Sequence, residues 1–269
     1  MKKRLFNILV LSLVGLFIFS GCSSKKDTFK VGLEAGYAPF NWTQLDDSNG
    51  GVQIQGSKEF AGGYDVQIAK KIAEGLGKEL VIVKTDWDGL LPSVNSGTVD
   101  AIIAGMSPTA DRRKQVDFSD GYYTSDLVMV VKKGGPYEAA KKLEDFKGAK
   151  VTGQLNTFHY TVIDQIDGVE KQTAMPDFPA MRVALESGII DGYVSERPEG
   201  LSASAANDKF YMVEFEDGFE ASVDDRSIAV GLKKGSKLTK EVNKALKDIS
   251  EEERQQIMED AIKNQPAAN

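Results

Sequence analysis

The chain has 269 residues, 33 of them Lys or Arg and 40 Asp or Glu, for a net charge of −7. At 41% hydrophobic and 27% charged it has a globular composition, and its length suits one large domain or two ordinary ones. One Cys excludes an internal disulfide and a Cys-based zinc site, and one His excludes a multi-histidine metal centre. The acidic balance argues against nucleic acid as a partner.

Lys2, Lys3 and Arg4 precede an apolar run from Leu5 to Phe19. A basic start followed by such a run is the layout of a secretory signal, and the run is short of the roughly 20 residues a membrane-spanning helix needs. Ser20-Gly21-Cys22-Ser23-Ser24 follows, and this small-residue pair before a lone Cys resembles the bacterial lipoprotein signal, with Phe19 where Leu is usual. Residues 1–21 are therefore expected to be a signal peptide, and 22–27 a lipidated N-terminus and polar linker. The alternative is a transmembrane anchor with a bystander Cys. Removing the signal discards three cations and leaves a more acidic chain.

Thr28 to Leu33 is β-prone. Asn49-Gly50-Gly51 between Asn41–Leu45 and Val52–Gln55 predicts a hairpin. From Tyr64 the pattern is helical, with Ile68, Ile72 and Leu76 on one face, Ala69 and Ala73 beside them, and Gly77 at the stop. Leu80–Val83 and Val99–Ala104 are unbroken apolar runs that suit buried parallel strands. Leu127–Val131, the stretch at Val151, Asp191–Ser195 and Ile228–Leu232 continue the strands, with a helix over Phe178–Leu185. Two helices near Leu238–Ile249 and Glu251–Lys263 close the chain, the second with an acidic start that suits a helix N-terminus. Alternating strands and helices predict an α/β fold with mostly parallel sheets, divided into two lobes of about 100 residues each.

Three blocks carry a family resemblance. The first is Val31-Gly32-Leu33-Glu34-Ala35-Gly36-Tyr37-Ala38-Pro39-Phe40, followed by Gly63-Tyr64-Asp65-Val66. The second is Trp87-Asp88-Gly89-Leu90-Leu91-Pro92-Ser93, then Val99-Asp100-Ala101-Ile102, Met106-Ser107-Pro108-Thr109, Arg112 and Asp117-Phe118-Ser119-Asp120-Gly121-Tyr122-Tyr123. The third is Ala184-Leu185, Gly188 and Asp191-Gly192-Tyr193-Val194-Ser195-Glu196. In this order they resemble the bacterial extracellular solute-binding proteins of family 3, which feed amino acids to ABC importers. The resemblance implies a two-lobed periplasmic-binding-protein-like fold of type II with the ligand in the cleft. Lobe 1 is expected over 28–121 plus 228–263, lobe 2 over 127–222, and hinge segments at 122–126 and 223–227.

A free amino acid carries two charges, and a dry cleft must pair both. Arg112, just inside a helix that begins near Thr109, offers a bidentate fork for the carboxylate. The resemblance implies the same role, with Ser107 and Gly105 at the same turn and Thr157 from the other lobe. The family usually has a Gly-Ser/Thr-Thr run where this chain has Leu155-Asn156-Thr157. Glu196 is the candidate for the ammonium, or a helix N-terminal acid, or both. Glu34 matches an acidic position of the histidine- and lysine/arginine/ornithine-binding proteins. Tyr37 and Trp87 match the rings that sandwich the ligand stem there, where an aromatic face favours a cation. Phe40, Trp42 and Gln154 are further candidates for the pocket wall. His159 is read as structural.

The expected function is that of a non-enzymatic binding lipoprotein for an L-amino acid, cationic by the Glu34, Tyr37 and Trp87 set, with arginine or lysine foremost. The alternatives are glutamine or histidine, a dehydratase of the same fold, or a surface sensor or adhesin. The expected partners are the membrane permease and ATPase of an ABC importer and the membrane itself, through lipid on Cys22. The protein is expected to be exported to the outer face of the cell membrane, or to the periplasm of a two-membrane host. It is expected to be monomeric, with no cofactor, metal or nucleic acid.

Overall fold

The computed structural model describes residues 27–266. The expected signal, Cys22 and the linker before Asp27 lie outside the described residues. Among the described residues no helix is long and apolar enough to cross a membrane.

Two five-stranded sheets form the frame. Across the first the order is Glu79–Lys84, Thr28–Leu33, Ala101–Ile102, Ser227–Lys233, Val116–Thr124. Across the second it is Glu170–Lys171, Lys150–Thr152, Gly192–Glu196, Leu127–Lys132, Phe210–Val213. The two sheets share one topology. In each, the first three strands are parallel. The fourth comes from a chain crossing and runs antiparallel to both its neighbours. The fold is thus the expected two-lobed α/β arrangement, but its sheets are evenly mixed rather than mostly parallel. Leu127–Lys132 and Ser227–Lys233 are buried along nearly their whole length. Their apolar continuity reports burial on both faces, which says nothing about direction. Glu79–Lys84 is an edge strand in which only Ile82 is buried.

The predicted hairpin is not formed. Asn41–Gln44 and Val52–Gln53 do not pair with each other; both pair antiparallel with Phe60–Gly62. Asn49 and Gly50 do turn the chain, with φ of 54° and 72°. The short central strand lacked a readable alternation of its own. Gly62 is needed there, because a Cβ would stand 2.3 Å from Gln44 Oε1 and 2.8 Å from Trp42 Nε1.

The helices follow their sequence signals. Tyr64–Gly75 buries Ile68, Ala69, Ile72 and Ala73, the predicted face. Phe178–Ser187 starts where Asp177 accepts from the Ala180 N–H at 2.8 Å, and Gly188 ends it in the left-handed region. Glu251–Asn264 starts at Ser250, with three glutamates in its first turn. Trp87–Ser96, which begins after Asp86, is a helix despite Pro92. The main core packs the first sheet and extends through Tyr37 and Phe178 onto one face of the second. A smaller core around Phe146, Val151 and Ile163 fills the other face. The lobes therefore meet through an apolar bridge as well as through the two chain crossings.

Candidate ligand cleft

The first wall is the turn that leaves strand Ala101–Ile102. Gly105 lies at φ +60°, and a Cβ there would stand 2.6 Å from Tyr37 Cε1, so only glycine lets the chain bend this close to the ring. Thr109 then caps a helix over Ala110–Gln115, accepting from the Arg112 N–H at 3.4 Å. Arg112 is 8% exposed. Its Nη1 donates to the Ser107 carbonyl at 3.0 Å and its Nη2 to the Asn156 carbonyl at 3.3 Å. Its guanidinium lies 4.9 Å from the centre of the Trp87 ring. Among the described residues no carboxylate is within ion-pair distance of it, whereas Arg113, Arg182, Arg197 and Arg226 all have one. Burial pushes its pKa down to about 10, with Asp225 opposing the shift. An uncompensated buried cation costs several kcal/mol on the order given by ion desolvation. It is therefore a ready anion site, with several N–H donors to spare.

The facing wall is the turn Gln154–Thr157 and the end of strand Gly192–Glu196. Asn156 takes the left-handed conformation, φ 57°, which Asn tolerates better than most residues. Its side chain donates to Asp88 at 2.8 Å. The Thr157 hydroxyl donates to the Gln154 carbonyl at 2.7 Å. Glu196 is 3% exposed and opens the helix Arg197–Ala206. It accepts from the Tyr37 hydroxyl of the first lobe. Burial pushes its pKa up to about 8; its own backbone N–H opposes this and Glu199 adds to it. A cation at this carboxylate would return it to its ionised form.

Tyr37, Trp87, Gly105, Ser107, Arg112, Gln154, Thr157, Phe158, His159 and Glu196 line one small cavity between the lobes. Glu34 stands just behind it. Its Oε1 accepts from Gln154 Nε2 at 3.0 Å, while its Oε2 is buried with no partner. Burial pushes its pKa up to about 8; the Gln154 bond opposes this, and Asp177, Asp86 and Asp88 raise it further. None of these four acids has an ion-pair partner among the described residues. The surroundings of Glu34 are thus electronegative.

The structure thus gathers Arg112, Ser107, Gly105, Thr157, Glu196, Tyr37, Trp87, Gln154 and Glu34. Three expectations change. Tyr37 and Trp87 do not present two open faces to a shared slot. Tyr37 is stacked on Phe40 at 4.9 Å and on Phe178 at 4.3 Å, and the cation over Trp87 is Arg112 itself. Trp42 is not at the cleft. It faces a separate recess with Gln67, Ile257 and Asn264, although its neighbour in the same small sheet, Gly36–Tyr37, does reach the second lobe. Phe40 is core behind Tyr37, edge-on to Tyr64 and Tyr123.

Three residues at or behind the cavity wall had no ligand role assigned from the sequence. Phe178 and Phe158 looked like ordinary apolar helix positions. His159 looked structural, yet it lines the cavity. Its position two residues after Thr157 was the available signal.

The profile of the "bacterial extracellular solute-binding proteins, family 3" matches residues 29–263. The chain is similar to the arginine-binding extracellular protein ArtP of Bacillus subtilis (strain 168), 30% identical over 240 residues, 86% of this chain and 84% of that one. It is similar to a probable histidine-binding protein of Campylobacter jejuni subsp. jejuni serotype O:2, 30% identical over 218 residues, 77% and 78% of the two chains. It superposes on the arginine-bound substrate-binding protein AbpA of Streptococcus pneumoniae with a TM-score of 0.75 at 30% identity, covering 88% and 94%. These relatives are binding proteins rather than enzymes, which removes the dehydratase alternative. A match over nearly the whole described chain shows that the protein belongs to the bacterial extracellular solute-binding proteins of family 3.

Proposed function

We propose that the protein binds a free cationic L-amino acid, arginine foremost, between its lobes and delivers it to the permease and ATPase of an ABC importer. The observation that carries the cationic choice is the buried, partnerless Oε2 of Glu34, among Asp86, Asp88 and Asp177 and without a neighbouring cation. A guanidinium or ammonium at that end completes an ion pair that the chain leaves open. Arg112 takes the α-carboxylate with Ser107, Gly105 and Thr157 around it, and Glu196 takes the α-ammonium. Tyr37, Trp87 and Gln154 flank the side chain. The arginine- and histidine-binding relatives support a ligand of this class.

Glutamine is the second reading. Glu34 in its protonated form, which burial favours, could donate to a neutral amide. A thermal-shift panel of the common amino acids, followed by calorimetry, separates the two. The cationic reading fails if glutamine shifts the melting temperature more than arginine or lysine does.

Binding would proceed by closure. Lobe 1 is taken as 28–121 plus 228–263, lobe 2 as 127–222, and the hinge as 122–126 with 223–227. Support comes from the side-by-side course of the crossings, where the Ser125 N–H donates to the Arg226 carbonyl at 2.9 Å and Arg226 pairs with Asp126 at 3.3 Å. Residues 1–21 would be removed on export and Cys22 acylated, tethering the monomer at the outer face of the membrane.

A further inference from the structure

His159 is the only histidine in the chain, and the fold carries it into the cleft. It sits on the short helix Phe158–Thr161 and is 5% exposed. Phe158 packs against its ring at 4.8 Å and Phe178 meets it edge-on at 6.2 Å. Neither ring nitrogen has a hydrogen-bond partner, although both are buried. Nε2 stands 2.9 Å from Glu196 Oε1, but not in hydrogen-bond alignment with it. Burial, with the Arg112 charge beside it, pushes the imidazole pKa down to about 3. Burial pushes Glu196 the other way. Both groups are thereby held neutral, and the contact is not an ion pair.

A neutral imidazole offers one acceptor nitrogen. Placed beside a carboxylate oxygen, it forms with it a two-sided socket for an incoming N–H. An α-ammonium brings three such donors, and in a dry cleft each one left unmatched is costly. The Tyr37 hydroxyl donates to Glu196 Oε2, which leaves Oε1, the oxygen beside His159, as the less engaged one, and three donors spread around a tetrahedral nitrogen call for an acceptor beyond that oxygen. A protonated histidine here would instead set a second cation against the ammonium and Arg112.

We propose that His159 is a ligand-recognition residue whose neutral imidazole accepts a hydrogen bond from the α-ammonium of the bound amino acid, beside Glu196. This rests on the reading that the cleft holds an amino acid with its ammonium at Glu196.

The test is calorimetry with two probes, L-arginine and guanidinopentanoate, which is arginine without its α-ammonium. The proteins are the wild type, His159→Leu and His159→Gln. The Leu variant is expected to lose about tenfold or more in affinity for arginine while binding guanidinopentanoate as the wild type does. The Gln variant, whose amide oxygen can accept, is expected to recover most of the loss. His159→Phe run in parallel keeps the comparison standing should the Leu variant fold poorly. An equal loss for both probes, or an unchanged arginine affinity, overturns the proposal, since a purely structural histidine cannot distinguish them. Wild-type protein that binds no free amino acid would remove the underlying reading as well, and is thereby told apart from failure of the His159 role alone.

Discussion

Gln154 Nε2 and Glu34 Oε1 stand 3.0 Å apart, although 120 residues separate them in the chain. The bond joins the two lobes. It leaves Glu34 Oε2 buried and unmatched, and the same Gln154 nitrogen also donates to the Pro176 carbonyl at 3.1 Å. One carboxylate oxygen is thus held by the protein and the other has no partner among the described residues.

Glu34→Gln should weaken arginine binding by at least about 30-fold, since breaking a buried charge pair costs ~2 kcal/mol or more. Glutamine affinity should change little, because an amide at this place can still hydrogen-bond to an amide. Calorimetry with both ligands checks this, and an arginine affinity equal to wild type would refute the assignment of Glu34.

Arg112→Met should abolish binding of every amino acid while raising the melting temperature of the ligand-free protein. Methionine removes an uncompensated buried cation and keeps much of the apolar stem, a change that is often neutral or stabilising. Differential scanning calorimetry and a binding assay on one sample report both effects. A lower melting temperature would mean that the bonds to the Ser107 and Asn156 carbonyls outweigh the desolvation cost.

The raised carboxyl pKa values give stability a definite pH slope. Glu34 and Glu196 are pushed from 4.5 up to about 8, and Asp65, bonded to Asn41 and Tyr122, from 3.8 to about 7. Between these limits the folded state holds protons that the unfolded state has released. Their contribution is therefore full below the unfolded values and lost as pH rises through the folded ones. The ligand-free melting temperature should fall as pH rises from about 5 to about 8, and Glu34→Gln should flatten the curve. By the same linkage, binding a cation near pH 7 should release protons, seen as a buffer-dependent calorimetric enthalpy.

Gly105→Ala should lower stability by roughly 1–3 kcal/mol, because the backbone is left-handed and the added carbon meets the Tyr37 ring. Ligand affinity should fall with it, since the same turn carries Ser107 and leads to Arg112. Urea unfolding and calorimetry would show both, and an unchanged midpoint would mean that Tyr37 yields freely.

The sequence by itself determined the local elements and the charge-bearing anchors. Helix faces such as Ile68, Ala69 and Ile72, the helix start near Thr109, and Arg112 placed soon after a buried strand are written in short-range spacing, where capping and periodicity act. The two-lobed organisation was legible through a family resemblance spread over the whole chain, and the same resemblance supplied the expected roles of Glu34 and Glu196. Only the tertiary structure decided which strand lies beside which. It placed Phe60–Gly62 between the two segments that looked like a hairpin, and it brought the crossing strands into each sheet antiparallel. It moved Trp42 away from the cleft, covered Tyr37 on both faces, and set His159 against Glu196. Strand direction, ring stacking and the burial of a charge depend on partners far away in the chain, and local spacing carries no information about which distant group will arrive.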